Sequence, residues 1–162
     1  MIKIGLLSDT HSFLPDSVFR HFESVDEIWH AGDVGDPVVL DQLAAFKPLK
    51  GVYGNIDGLE VRRRLMENNL FYAENVKVFM RHIGGYPGRY APGVRDMIKK
   101  EKPGLFISGH SHILKVMYDE KLRCLHMNPG AAGKQGWHQV QTLIKFQIDG
   151  SNIADCQVIE LA

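Results

Sequence analysis

I-K-I-G-L-L-S-D-T-H, from Ile2 to His11, sets an apolar run directly before an aspartate and a histidine two positions apart. The run is too short for a signal peptide or a membrane helix, which needs about 18 apolar residues. It reads as a buried first strand. The same arrangement recurs along the chain. Glu27–Ala31 precedes Gly32 and Asp33, and Leu49–Tyr53 precedes Gly54 and Asn55. Val76–His82 closes on a histidine, and L-F-I-S (Leu105–Ser108) delivers G-H-S-H with His110 and His112. Five strand ends thus carry seven nitrogen or oxygen donors, spread over about a hundred residues. A parallel sheet can gather them, because ligands bind outside the carboxyl ends of its strands.

The intervening segments support that reading. Pro15–Glu23, Pro37–Phe46 and Leu59–Glu67 read as helices, so the first half alternates strand and helix. Asp36 caps the helix that opens at Pro37. Leu70–Ala73 and Val76–His82 form a strand pair joined by Glu74-Asn75. Gly84–Gly93 is loop-rich, and Pro92–Glu101 is a helix closed by Pro103-Gly104. Ile113–Tyr118, Leu122–Met127, Val140–Ile148 and Ile153–Glu160 are strand-like, with turns at Asp119-Glu120 and Asp149-Gly150.

Composition sets limits. The 162 residues fit one domain, 1–162, with 44% hydrophobic residues. Lys+Arg and Asp+Glu are both 19, so no global charge favours nucleic acid or a membrane surface, and neither is expected as a partner. Cys124 and Cys156 lie far apart and read as reduced, mostly buried thiols of a cytoplasmic protein.

The donors have a common chemistry. Asp9 and His11 offer hard oxygen and imidazole nitrogen from positions i and i+2, which share a side in extended backbone. Gly32 lets the backbone approach closely where Asp33 is delivered, and a carboxylate there can bridge two cations. Asn55 offers a carbonyl oxygen to metal and an amide donor to phosphate. Asp57 is expected to orient another group rather than touch metal. His82 ends an apolar strand. His110 and His112 are again i and i+2. This number of nitrogen and oxygen donors suits two divalent cations. Each motif has a plainer reading alone: a helix cap for Asp9, a turn for Asp33 and Asn55, a backbone-satisfied ring for His82.

At these residues the chain resembles the calcineurin-like metallophosphoesterase superfamily, whose pattern D-x-H, G-D, G-N-x-[DE], H, G-H-x-H runs here from Asp9 to His112. It looks closest to the small YfcE-type phosphodiesterase group, with M-N-P-G at Met127–Gly130 similar to that group's N-P-G-S. The resemblance implies a four-layer α/β/β/α sandwich, two mixed sheets flanked by helices. It implies that Asp9, His11, Asp33 and His112 hold one metal and that Asp33, Asn55, His82 and His110 hold the second, with Mn expected and Fe, Zn or Ni as alternatives. A hydroxide shared by the two cations would attack a small phosphodiester, with Asp33, Asn55 and His110 taken as catalytic. Similar proteins are commonly homo-oligomers. Position 56 departs: many relatives place a proton-donating histidine there, and this chain has Ile56. Good leaving groups such as aryl esters are then expected. The surroundings of His82 (Arg81, Ile83) and the Ala131 that follows N-P-G also depart, as does Gly84–Tyr90.

Arg81, Arg89 and His138 are candidate substrate contacts by position, and Asn128 is a candidate for placing the last loop near the site. Arg62-Arg63-Arg64 reads as an exposed face. His21, His30 and His126 lack partner spacing and read as ordinary residues. Trp29 reads as core, and Trp137 as lining a cleft or a subunit contact. The competing class is a non-catalytic metal-binding scaffold or protein-interaction module on the same fold, as in the small retromer subunit.

Overall fold

The computed structural model describes residues 1–138 and 140–161. In chain order it has β1 (Ile2–Leu7), α1 (Ser17–His21), β2 (Glu27–His30), α2 (Val38–Phe46), β3 (Leu49–Gly51), α3 (Leu59–Arg64), β4 (Asn68–Ala73) and β5 (Val76–Arg81). There follow β6 (Gly85–Tyr86), β7 (Arg89–Tyr90), α4 (Val94–Glu101), β8 (Leu105–Ile107), β9 (Lys115–Asp119), β10 (Cys124–Asn128), β11 (Gln141–Asp149) and β12 (Asn152–Leu161).

Two five-stranded mixed sheets result, in the orders β12-β11-β1-β2-β3 and β4-β5-β8-β10-β9. The centres are parallel, β1 with β2 with β3 and β5 with β8 with β10. β11, β4 and β9 run antiparallel to these centres, and β12 pairs antiparallel with β11 at the edge. Period-two alternation explains the stacking. Ile4, Leu6 and Trp29 of one sheet meet Val78, Met80, Leu105, Ile107 and Met127 of the other. Opposite faces of the same strands send Leu7, Ile28 and Leu143 to Val18, Leu40 and Val61 of α1, α2 and α3. Phe79 and Phe106 meet Val94 and Ile98 of α4. Three apolar layers between four structural layers make the expected α/β/β/α sandwich, and each apolar run is continuous because both faces of its strand are covered.

Local boundaries moved. The helix read from Pro15 to Glu23 is one short turn and a half, and the helix read to Glu67 stops at Arg64 because Met66 bridges Val52 beside the first sheet. The loop-rich segment holds a two-residue hairpin, β6–β7. The strand read from Ile113 begins only at Lys115, leaving Ile113 and Leu114 in the loop. Cys124 is buried as expected, whereas Cys156 is exposed, because β12 is an edge strand with a solvent face. Asp36 Oδ1 accepts from the Val38 N–H at 3.0 Å, the capping role expected of it. Among the described residues no helix is long and apolar enough to cross a membrane.

Trp29 ties the two sheets together. Fully buried, it meets Phe146 of its own sheet at 5.7 Å and Phe71 of the other at 5.0 Å, edge to face. Trp29→Ala should lower unfolding free energy by about 3–5 kcal/mol. Denaturant titration tests this, and a loss below about 1 kcal/mol would contradict the packing.

Candidate metal centre

The strands β1, β2, β3, β5 and β8 end at Leu7, His30, Gly51, Arg81 and Ile107. The donor residues lie just beyond them. Their backbone is not the extended chain that the i, i+2 spacing implied. Asp9, His11, Asp33, His110 and His112 all have left-handed φ, between 44° and 72°. Such a conformation costs an L-residue about 1–2 kcal/mol and persists only where its surroundings hold it. Here the loops hold one another. Asp9 N–H donates to Gly32 O at 2.9 Å, His11 N–H to Asp33 O at 3.0 Å, and Gly133 N–H to Asp9 O at 3.1 Å. Gly32, at φ 103°, lies against the His82 ring where a Cβ would collide.

The turned backbone splits the donors into two clusters. Asp9, His11 and His112 form one, and Asp33, His82 and His110 the other, each within 4.8 Å. His110 and His112 therefore do not share a face; the left-handed turn at each sends them to different clusters. Within the clusters, Asp9 Oδ1 stands 3.1 Å from His112 Nε2 and 3.8 Å from His11 Nε2, and Asp33 Oδ2 stands 3.2 Å from His82 Nε2. Asp33 Oδ2 is also 3.3 Å from His11 Nε2, so one oxygen faces both clusters. Asn55 Oδ1 lies 3.1 Å from His110 Nδ1. Donors about 2.1 Å from one cation sit about 3.0–4.2 Å apart, and these separations fall in that range. Asp9 Oδ1, His11 Nε2 and His82 Nε2 are buried without a hydrogen-bond partner. Converging orphaned donors of this chemistry fit divalent cations.

The charge states follow from the geometry. Burial pushes the Asp9 carboxyl up, but the facing His11, His112 and His82 rings and the Ser8 hydroxyl hold it well below the usual carboxylate range. Burial likewise opposes ionisation of Asp33, and His82 and the Ile56 N–H overcome it. Pairing with Asp9 raises the His11 imidazole. Burial lowers His82, yet Asp33 and Asp9 bring it above its ordinary value. His110 is lowered by burial and by the nearby His82.

Tautomers are set from behind. A carbonyl oxygen only accepts, so His82 Nδ1–H donates to Ala31 O at 2.8 Å and leaves Nε2 for the site. His138 Nε2–H donates to Gly133 O at 2.7 Å, so its Nδ1 accepts from His112 Nδ1–H at 3.2 Å. That leaves His112 Nε2, facing Asp9, as the free lone pair. His138 stands behind a donor, a place that differs from the substrate contact expected of it.

Other supports were partly legible. Asp57, buried, accepts from Val34, Gly35 and Gly54 N–H, at 3.2, 2.8 and 2.7 Å, and so joins the Asp33 and Asn55 loops. Asn128 Nδ2 donates to Gly109 O and Ser111 Oγ, holding the loop of His110 and His112. Arg81 lies beside His82, outside both clusters, bonded to Ile83 O and Asn68 and paired with Glu67. Arg89 is on β7, opposite Tyr86, and outside the clusters. Two residues carry supporting contacts that the sequence did not reveal. His30 is fully buried, contacting Thr10 Oγ1 at 3.0 Å and accepting from Gly32 N–H at 3.1 Å, so it ties the first two donor loops together. Burial drops it to about 4, and it stays neutral there. Arg62 is exposed, as are Arg63 and Arg64 and as the sequence implied, and in addition its guanidinium covers the Tyr53 ring and its Nε–H donates to Asp57 O. The only cue for either was adjacency to a donor loop. His126 behaves as expected, Nδ1–H donating to Phe106 O.

A family model described as a calcineurin-like phosphoesterase superfamily domain matches residues 2–151. A probable metallophosphoesterase of Methanothermobacter thermautotrophicus is 31% identical over 166 residues, covering 96% of this chain and 91% of that protein. A solved structure described as a novel archaeal phosphodiesterase superposes with a TM-score of 0.79 at 22% identity, covering 99% of this chain and all of that one. Zinc-complexed Vps29 of Entamoeba histolytica superposes at 0.74 with 15% identity, covering 98% and 99%.

Two outcomes are expected. Cations need neutral imidazoles, and Asp9 and Asp33 raise His11 and His82, so near pH 6.5 these two imidazoles hold more protons in the cation-free site than free histidines would. Cation binding should then release protons, and affinity should rise with pH through the raised values. Calorimetry in buffers of different ionisation enthalpy measures the release, and proton uptake would contradict it. Separately, His138→Ala should weaken one cation by about 10–100-fold in a chelator competition. His138→Gln, whose amide can both accept from His112 and donate to Gly133, should recover most of it.

Proposed function

Because the chain belongs to the calcineurin-like phosphoesterase superfamily, a group of metal-dependent phosphoester hydrolases, we propose that it is a phosphodiesterase acting on small phosphodiesters with two divalent cations, Mn²⁺ first among them. The carrying observation is Asp33 Oδ2, which faces His11 of one donor cluster and His82 of the other at 3.3 and 3.2 Å. On this reading Asp9, His11, Asp33 and His112 hold one cation, and Asp33, Asn55, His82 and His110 the other. Residues 1–162 act as one catalytic domain.

When bound, the two cations supply an activated water and positive charge against the phosphoryl oxygens. The chain does the rest. Asp33 fixes the spacing of the clusters, its Oδ1 being anchored by the Ile56 N–H at 3.1 Å. The exposed Asn55 amide can donate to a non-bridging phosphoryl oxygen as charge builds there. His110, held neutral, orients against Asn55 at the open side of the site. The leaving oxygen meets no donor at position 56: Ile56 is 47% exposed and apolar. Its proton comes from solvent, which handicaps poor leaving groups by up to about 10²–10⁴-fold.

A non-catalytic platform is the second reading. The apolar side chains exposed beside the donors, Ile56, Ile83, Ile113 and Trp137, are the observation that favours it.

Hydrolysis of bis(p-nitrophenyl) phosphate by metal-stripped protein, with and without Mn²⁺, decides between them. Turnover should depend on Mn²⁺, fall at least about 10²-fold in His110→Ala, and be far faster for aryl than for alkyl diesters. Two bound cations with no turnover of any diester would leave the platform.

A further inference from the structure

Trp137 is fully exposed, at 101% of the reference accessibility, yet its loop is pinned on both sides to a donor of the metal centre. Gly136, at φ 119°, sits so close to His112 that a Cβ there would strike the imidazole Nδ1. His138 bonds to that same Nδ1 at 3.2 Å and to Gly133 O at 2.7 Å. The His112 and His138 rings meet edge to face at 5.0 Å. The indole between these two anchors is fully open to solvent among the described residues. A large apolar group fixed in water beside a reactive centre marks a binding surface rather than packing.

The space it borders is a cleft of about 340 Å³ lined by His110–Ile113 and Gly136–His138, so that His110 and His112 of the donor clusters are part of its wall. Ile113 of that lining is 62% exposed. Beyond His110 lies a second cleft of about 210 Å³, lined by Tyr53–Asn55, Arg62, Glu67 and Arg81–Ile83. The His110–Asn55 contact, 3.1 Å, is the saddle between them. The two clefts differ in chemistry: one offers an indole and an isoleucine, the other a phenol, two guanidinium groups and the Glu67 carboxylate that pairs with Arg81, with Ile83 as its one aliphatic side chain. A phosphodiester centred on the donors has two ester arms, one for each side.

We propose that the cleft under Trp137 and Ile113 is the subsite for a flat, apolar ester group, and that the substrate is an asymmetric phosphodiester whose second, polar arm lies on the Tyr53–Arg62–Arg81 side. The proposal deepens the phosphodiesterase reading and rests on it. A cleft of this size is at the low end of ligand pockets, about 300–1,000 Å³, and admits a small-molecule group rather than a protein segment. It shares two donors with the metal centre, so an ester group there is continuous with the phosphorus.

The chain has two tryptophans, and Trp29 is buried between the sheets. Trp29→Phe keeps a ring in the core and leaves Trp137 as the sole indole. Its emission should shift to the blue and saturate when the Mn²⁺-loaded protein is titrated with a naphthyl ester of methylphosphonic acid, and not with the methyl ester. In parallel, Trp137→Ala in the otherwise native protein should raise KM for a phenyl diester about three- to tenfold, with kcat kept and the methyl diester unaffected. Unchanged emission together with an unchanged phenyl-to-methyl KM ratio would overturn the subsite, even in an enzyme that turns over diesters. If no diester turns over, the phosphodiesterase reading fails, and the titration alone then judges the subsite: a naphthyl-specific shift upholds it and none overturns it. An emission that moves with protein concentration and not with the ester also overturns it, because Trp137 then seats on a second copy of the chain.

Discussion

Two carboxylates buried side by side are the constraint on which the rest of the molecule depends. Asp9 and Asp33 are almost wholly withdrawn from water, and Asp9 Oδ1 has no hydrogen-bond partner. A buried charge of one sign costs several kcal/mol unless opposite charge stands against it. Three imidazoles close on Asp9 Oδ1 at 3.1–3.8 Å, from His112, His11 and His82. They come from both sheets, so the carboxylates can be compensated only if the sheets stack with their parallel strand ends at one edge. On the metal-centre reading, divalent cations complete that compensation. The fold and the site are then one electrostatic problem.

Holding the donors requires backbone that the chain would not choose unaided. Five of the seven candidate ligands are left-handed non-glycine residues, and none of them gains from that locally. What keeps them so is a set of bonds between loops: Asp57 across the second and third, His30 across the first and second, Asn128 behind the last. Arg62 covers the Asp57–Tyr53 corner in the same way. These residues touch no cation on the proposed reading, yet each fixes the angle at which a donor enters.

The difference between what was legible and what was not follows the same physics. The central strands of the sandwich could be read because both faces of each are covered, which writes unbroken apolar runs such as Leu105–Ile107 into the sequence. The donors could be read because they stand directly after those runs. Helix lengths could not, since α1 and α3 are short and held by tertiary contacts that leave no cap signal; neither has a side-chain cap. The i, i+2 argument brought Asp9 and His11 together correctly but for the wrong reason, and it failed for His110 and His112, because φ sign is not written in residue type. His30 and Arg62 were passed over because their roles are relations to other loops. A histidine inside E-I-W-H and an arginine inside R-R-R have no local mark of what they will face.

Ile56 and Trp137 lie on different loops, and their consequences converge. On the phosphodiesterase reading, Ile56 offers no proton to the leaving oxygen, so the chemistry would favour alcohols that leave without help, and aryl alcohols are of that kind. Trp137 and Ile113 wall a cleft that a flat apolar group would fill, and an aryl ester is such a group. Leaving-group acidity and shape are independent properties, one electronic and one steric. Decay toward a platform predicts no relation between them, since a partner surface needs no particular leaving group and an eroding site would lose donors first. All seven donor positions hold residues able to bind a cation, while position 56, beside them, is apolar. On the proposed reading a narrow substrate accounts for both facts; loss of catalysis accounts only for the second.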